Sequence, residues 1–213
     1  MKSIKNQTSA QCPHGCEPFD TDYYFFIRAD ENPELKDSIL GGELNLMRCP
    51  SCGAFFHYEK ELIYLDAANE LLVFMFPLSL KGNEAELKKR MEQDYRALKD
   101  ILLKSLKMDY PPVCVFGLEE LKHLLEHEEL SALESEAVAA ASAAQGFEVA
   151  RLKPSYARAH HFPYYIPAAP HTTTPNDYAL AAAKVLKSGL HSTLLLNLKD
   201  HMSQEEAVLP LLV

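Results

Sequence analysis

The sequence is short of positive charge. Its 213 residues carry 21 Lys and Arg against 30 Asp and Glu, a formal net charge of −9. Charge-driven binding to a nucleic-acid backbone needs clustered cations that displace counterions, and an anionic membrane surface asks for the same. Composition supports neither. Long apolar runs are also lacking. The most apolar stretch, residues 71–80, is too short to span a bilayer, contains Pro77 and is followed by Lys81. Residues 1–8 (Met-Lys-Ser-Ile-Lys-Asn-Gln-Thr) lead toward the first cysteines with no apolar segment of signal-peptide length. No internal repeat is visible. These absences set the expectation of no membrane association and a reducing cytoplasm, where paired cysteines are better read as metal ligands than as disulfides.

Cysteine itself is sparse, but its spacing is informative. Of the five cysteines, four form two close pairs, Cys12-Pro-His-Gly-Cys16 and Cys49-Pro-Ser-Cys52-Gly53. Zinc takes four soft or borderline ligands at tetrahedral corners, and two tight cysteine-bearing turns supply them. Pro50 stiffens the second turn, and Gly53 lets the chain fold back so that backbone N–H groups face the sulfurs. The predicted ligands are therefore Cys12, Cys16, Cys49 and Cys52, holding a structural Zn2+. Four thiolates leave no open position for water or substrate, so such a site holds a fold together and does not catalyse hydrolysis. Cys114 is left over, in a short apolar run that reads as a strand, and is expected to be a core thiol.

Around these pairs the pattern predicts an α+β fold. Residues 22–30 form an aromatic strand, and Asn32-Pro33-Glu34 opens a helix that Gly41-Gly42 stops. Residues 55–58, 62–66 and 71–76 follow as strands. The expected result is a small, zinc-pinned antiparallel sheet with one inserted helix. Asn83 then opens a long helix whose Leu87, Met91, Tyr95, Leu98, Leu102 and Leu106 make one apolar stripe, a core-packing face. After Pro111-Pro112 the chain is expected to be mainly helical: helices over 118–129 and 131–145, a Pro/His-rich linker over 151–174, and a helix from Thr174 to Lys187. A strand over 194–198 and a capping box at Ser203-Gln204-Glu205-Glu206 complete it. The apolar tail 208–213 is expected to dock in a groove on the chain's own helices or on a partner.

The run Asn32-Pro33-Glu34-Leu35-Lys36-Asp37-Ser38-Ile39-Leu40-Gly41-Gly42-Glu43-Leu44-Asn45, followed by Cys49-Pro50-Ser51-Cys52-Gly53, resembles the CpXC domain of bacterial and archaeal proteins. Leu62-Ile63-Tyr64-Leu65-Asp66 and Gly117-Leu118-Glu119-Glu120-Leu121 fit it as well. The resemblance implies a zinc-binding domain over residues 9–130, with no established activity, and leaves 131–213 as a helical C-terminal extension. One departure is clear: the family's first pair is usually C-P-x-C, whereas here Gly15 takes the fourth position and the second cysteine is Cys16.

Two rivals stand beside a non-enzymatic interaction or assembly module with an unknown protein partner. His123-Leu124-Leu125-Glu126-His127 matches H-x-x-E-H, in which two histidines share a helix face with a Glu between them as general base. Such a metallopeptidase needs a further downstream Glu, for which Glu205 or Glu206 would serve. The bland reading of the same residues is a polar helix face. His160, His161 and His171 read as loop histidines. The second rival is a zinc-ribbon nucleic-acid binder. Charge opposes it, since residues 1–81 hold seven Lys and Arg against twelve Asp and Glu.

Overall fold

The fold is known from a computed structural model that describes residues 2–101, 108–169, 174–203 and 209–212. The chain divides into two compact units, Met1–Glu126 and His127–Val213. No helix among the described residues is long and apolar enough to cross a membrane.

In the first unit, strands β1 (Ile4–Ala10), β2 (Phe19–Arg28), β5 (Leu62–Asp66), β6 (Leu71–Phe76) and β7 (Val113–Phe116) form one sheet in the order β1-β2-β5-β6-β7. All six residues of β6 are buried, because both faces of the sheet are covered. Leu71, Val73 and Met75 point to one side, onto Leu35 and Ile39 of α1 (Pro33–Leu40) and Leu118, Leu121 and Leu125 of α3 (Gly117–Ala144). Leu72, Phe74 and Phe76 point to the other, onto Leu87 and Met91 of α2 (Glu84–Ile101). This is the period-two alternation of a strand between two apolar layers. The stripe on α2 is thus core packing; Leu102 and Leu106 lie outside the described residues.

The class is α+β, but the sheet is mixed where an antiparallel one was expected. β2 runs parallel to β5, and β6 parallel to β7. The reason is topological. α1 and α2 each fill the connection between the parallel strands, carrying the chain back across the sheet, whereas the tight turn after Asp66 joins β5 and β6 as a hairpin. There the Asp66 carboxylate accepts the Asn69 N–H at 3.2 Å and its side-chain amide at 2.7 Å. β1 was absent from the sequence-based expectation; it is polar and exposed along most of its length and is recruited by its ladder to β2.

The second unit is less purely helical than expected. β8 (Glu148–Leu152), β9 (Tyr165–Ala168) and β10 (Leu211–Leu212) form an antiparallel sheet in the order β10-β8-β9. The stretch expected to be a linker over 151–174 holds α4 (Pro154–His160) and β9, with Ala157, Phe162, Tyr164 and Ile166 in the core. Pro154 marks a helix start and Pro167 a sheet edge. Residues 194–198, expected as a strand, belong to α6 (Thr193–Met202). Ser192 caps that helix by accepting the Leu195 N–H at 3.0 Å, and Leu194, Leu195, Leu198 and Met202 bury one helical face. α5 (Pro175–Lys187) begins with a reciprocal capping box between Thr174 and Asp177.

α3 runs unbroken from Gly117 to Ala144 where two helices were expected. Ser135 and Ser142 donate to the carbonyls of Ser131 and Val138, both at 2.6 Å, so these hydroxyls are satisfied inside a helix without ending it. The tail pairs Leu211 and Leu212 with Leu152 and Arg151 of β8, as an added strand instead of a segment lying in a helical groove. The proposed capping box at 203–206 falls largely outside the described residues.

Candidate metal centre

Each cysteine pair lies in the loop of a β-hairpin. Cys12 and Cys16 sit between β1 and β2, and Cys49 and Cys52 between β3 (Leu46–Arg48) and β4 (Phe55–His57). The two hairpins are tied together away from the loops. Asn45 accepts the Tyr24 N–H at 2.8 Å and donates to the Tyr24 carbonyl at 3.0 Å, standing in for a strand partner. Tyr58 and Thr8 share a hydroxyl hydrogen bond of 2.8 Å, and Phe19 meets Phe56 edge to face. These contacts bring loop against loop.

The four sulfurs lie within 4.8 Å of one another. Cys12 Sγ and Cys52 Sγ are 3.7 Å apart. A tetrahedral zinc with Zn–S bonds of ~2.3 Å would separate its sulfurs by ~3.8 Å, so the spacing fits that ion. Cys12 and Cys49 are buried, Cys16 is half-buried and Cys52 is exposed, so the cluster opens to solvent on one side.

Backbone geometry explains the convergence. In the second loop the Gly53 N–H donates to the Cys49 carbonyl at 2.9 Å, with Gly53 at φ +74°, which glycine adopts without strain. In the first loop the Gly15 N–H donates to the Cys12 carbonyl at 3.0 Å, with φ +75°. Gly15 thus closes a tighter turn, spanning three residues where Gly53 spans four, and the next position delivers Cys16 to the cluster. The departure from C-P-x-C is absorbed at that position.

The sulfurs also sit in an unequal electrostatic field. The Cys49 thiol is pulled down to about 6, first by the backbone N–H of Cys52 and, against the cost of burial, by that of Ser51. Cys16 is pushed up to about 12, first by its hydrogen bond with Cys52. At Cys12 the His14 N–H, 3.4 Å from the sulfur, favours the thiolate, but burial and the Cys49 and Cys52 thiols raise its pKa overall. Four sulfurs packed this closely cannot all hold negative charge without a cation among them. His14 Nδ1 lies 3.7 Å from Cys52 Sγ, beside the open side of the cluster.

The other candidates are placed differently. Among the described residues the four cysteines are the one set of three or more His, Cys, Asp or Glu side chains gathered closely enough to hold an ion. His123 and His127 are exposed on α3, where His127 contacts Ser131 at 3.5 Å. Glu205, Glu206 and His171 lie outside the described residues. His160 ends α4, stacked on Tyr156 at 4.1 Å, and His161 is its left-handed cap. Cys114 sits in β7, half-buried against the α2 side, with its pKa raised by burial.

A buried ionic group in the second unit escaped sequence reading. Arg158 Nε and Nη2 each donate to one oxygen of the Glu128 carboxylate at 2.8 Å, and the Tyr164 hydroxyl donates to Glu128 Oε2 at 2.8 Å. The partners stand 30 and 36 residues from Glu128 and share no local motif.

Compared with known proteins, residues 10–131, more than half of the chain, match the family model described as CpXC protein. No curated protein and no solved structure matches.

Proposed function

The chain belongs to the CpXC protein family, and on that premise we propose that Cys12, Cys16, Cys49 and Cys52 hold one structural zinc ion in a non-enzymatic domain that serves protein interaction or assembly. The observation that carries the metal reading is the convergence of four sulfurs to within 4.8 Å, with one separation matching the edge of a zinc tetrahedron. A cation bound there has all four positions filled by protein, which leaves it no place for a substrate. Its work is to clamp two hairpin loops, and folding of this end of the domain is coupled to its binding.

What supports the interaction reading is the outward face of the metal hairpin. Phe55 is 66% exposed, Leu46 41%, and the Arg48 guanidinium lies over the Phe55 ring at 5.8 Å. An aromatic held in water by a short, metal-clamped hairpin is poised for a partner. The partner is a protein, and the compartment a reducing cytoplasm that keeps the thiols available.

Elemental analysis of protein purified without added metal tests the first part. About one equivalent of zinc per chain is expected, lost on Cys49→Ser. Absence of zinc, or an iron–sulfur chromophore, overturns it. Affinity capture from the native host tests the second: Phe55→Glu, with zinc retained, should lose the captured protein, and unchanged capture refutes the role of this face.

A further inference from the structure

The four sulfurs of the cluster differ in what surrounds them. Cys12 and Cys49 are each 1% exposed, Cys16 is half-buried, and Cys52 alone of the four is exposed. Backbone N–H groups face the two buried sulfurs: that of His14 faces Cys12 at 3.4 Å, and those of Ser51 and Cys52 face Cys49. Each such hydrogen bond draws electron density from the sulfur it meets, and burial keeps solutes away, so these two are poor targets for a dissolved oxidant. The Cys52 sulfur stands at the open side of the cluster, 3.7 Å from His14 Nδ1, and solvent meets it first. Also 3.7 Å from it lies the Cys12 sulfur of the other hairpin loop. An exposed sulfur with a second one this close is the arrangement of an oxidised thiol and its resolving partner.

We propose that Cys52 is an oxidation site for peroxides, with Cys12 as the thiol that resolves it to a disulfide. The Cys52 thiolate attacks one peroxide oxygen. The O–O bond breaks, an S–O bond forms, and the departing hydroxide takes a proton from solvent to become water. The Cys12 thiolate then attacks the sulfenic acid at Cys52, a step that needs no access from outside. The S–O bond breaks, an S–S bond forms, and the second hydroxide leaves as water in the same way. Two thiolates have given up two electrons between them, and one hydrogen peroxide has become two waters. The inference rests on the zinc reading of the cluster and adds its sensitivity to oxidation. With Cys12 and Cys52 joined, Cys16 and Cys49 are the two thiolates left for the ion, too few to hold it. The disulfide links the same two hairpin loops, so a covalent clamp replaces the metal one. One of its sulfurs is exposed, which leaves it open to reversal by thiol exchange.

The test uses the full chain, its zinc content measured first by elemental analysis. Hydrogen peroxide is added, zinc release is followed with a metallochromic dye, and the cysteines are mapped by mass spectrometry after rapid alkylation without reductant. About one equivalent of peroxide should release about one equivalent of zinc and give the Cys12–Cys52 disulfide as the main product. Dimedone present from the start should label Cys52 ahead of the other cysteines, and dithiothreitol with added zinc should restore the starting state. A first adduct on Cys12, Cys16, Cys49 or Cys114 overturns the proposal. So does a disulfide within one loop, Cys12–Cys16 or Cys49–Cys52, or a cluster that keeps its thiols in excess peroxide. Absence of zinc before peroxide is added defeats the metal reading alone, because the cysteine map still decides which sulfur is oxidised and which resolves it.

Discussion

Replacing Arg158 with Met tests how far the second unit depends on its buried ionic group. The Glu128 and Arg158 side chains are 10% and 15% exposed, and two hydrogen bonds of 2.8 Å join them in parallel. Met keeps most of the aliphatic length, so packing changes little while the Glu128 carboxylate loses its counter-charge. Removing one partner of such a pair costs about 3–5 kcal/mol, most of it the penalty of a buried, unpaired charge. The Tyr164 hydroxyl still donates to Glu128, which places the loss near the lower end. For a unit of this size about 3 kcal/mol corresponds to a fall in Tm of roughly 12–24 °C. Calorimetry should show that fall in the transition of the second unit. The control removes the charges together: Glu128→Met, Arg158→Met and Tyr164→Phe in one chain should recover most of the loss, since an apolar group of similar volume often replaces a buried pair at little cost. A single Arg158→Met variant that moves stability by no more than about 0.5 kcal/mol, the range of an ordinary surface exchange, would refute the reasoning.

Burial and the neighbouring Glu128 carboxylate hold the Tyr164 hydroxyl's pKa well above its ordinary value. The folded state thus keeps a proton the unfolded state gives up, so stability is full below about pH 10 and falls as pH rises beyond it; Tyr164→Phe should flatten that fall in alkaline melting curves. His123→Ala with His127→Ala should leave zinc content unchanged and Tm nearly so, because both side chains are exposed; loss of a metal equivalent together with a peptidase activity would revive the H-x-x-E-H reading. Deleting 209–213 removes β10 from the edge of β8 and Leu209 from the core, and should lower the Tm of the second unit at unchanged mass; an unchanged Tm would refute a structural role for the strand.

How much of this was legible in sequence depends on range. Local chemistry read well: Pro33 opens α1, Thr174 and Asp177 box the start of α5, and the three- and four-residue steps of Leu87, Met91, Tyr95 and Leu98 mark the face of α2 that packs into the core. Signals shared by two structures misled. The Leu194–Leu196 run is a short continuous apolar stretch that fits a buried strand or a helix alike, and only the Ser192 cap and the position of Met202 a further turn along mark it as a helix. Proline density over 151–174 suggested a linker because proline also favours loops, yet Pro154 occupies a first helical turn and Pro167 lies in β9. Parallel pairing was invisible, since nothing in β2 or β7 encodes which strand will lie beside it.

The cysteine cluster shows the same division in one place. The residue types and the two short spacings point to four sulfurs, because a chelating turn is a local object. What brings the turns together is not local. Asn45 bonded to the Tyr24 backbone, the Thr8–Tyr58 hydroxyl pair and the Phe19–Phe56 contact each join one hairpin to the other across 21 to 50 residues. None of these residues belongs to a cysteine motif. The extra residue in the first loop is tolerable for the same reason. Gly15 closes its turn at a positive φ, and the hairpin frame, held from outside the loop, still presents Cys16 to the other three sulfurs. A C-P-x-C spacing is thus one way to meet a requirement set by the frame. Another loop meets it when a glycine stands where the turn must reverse.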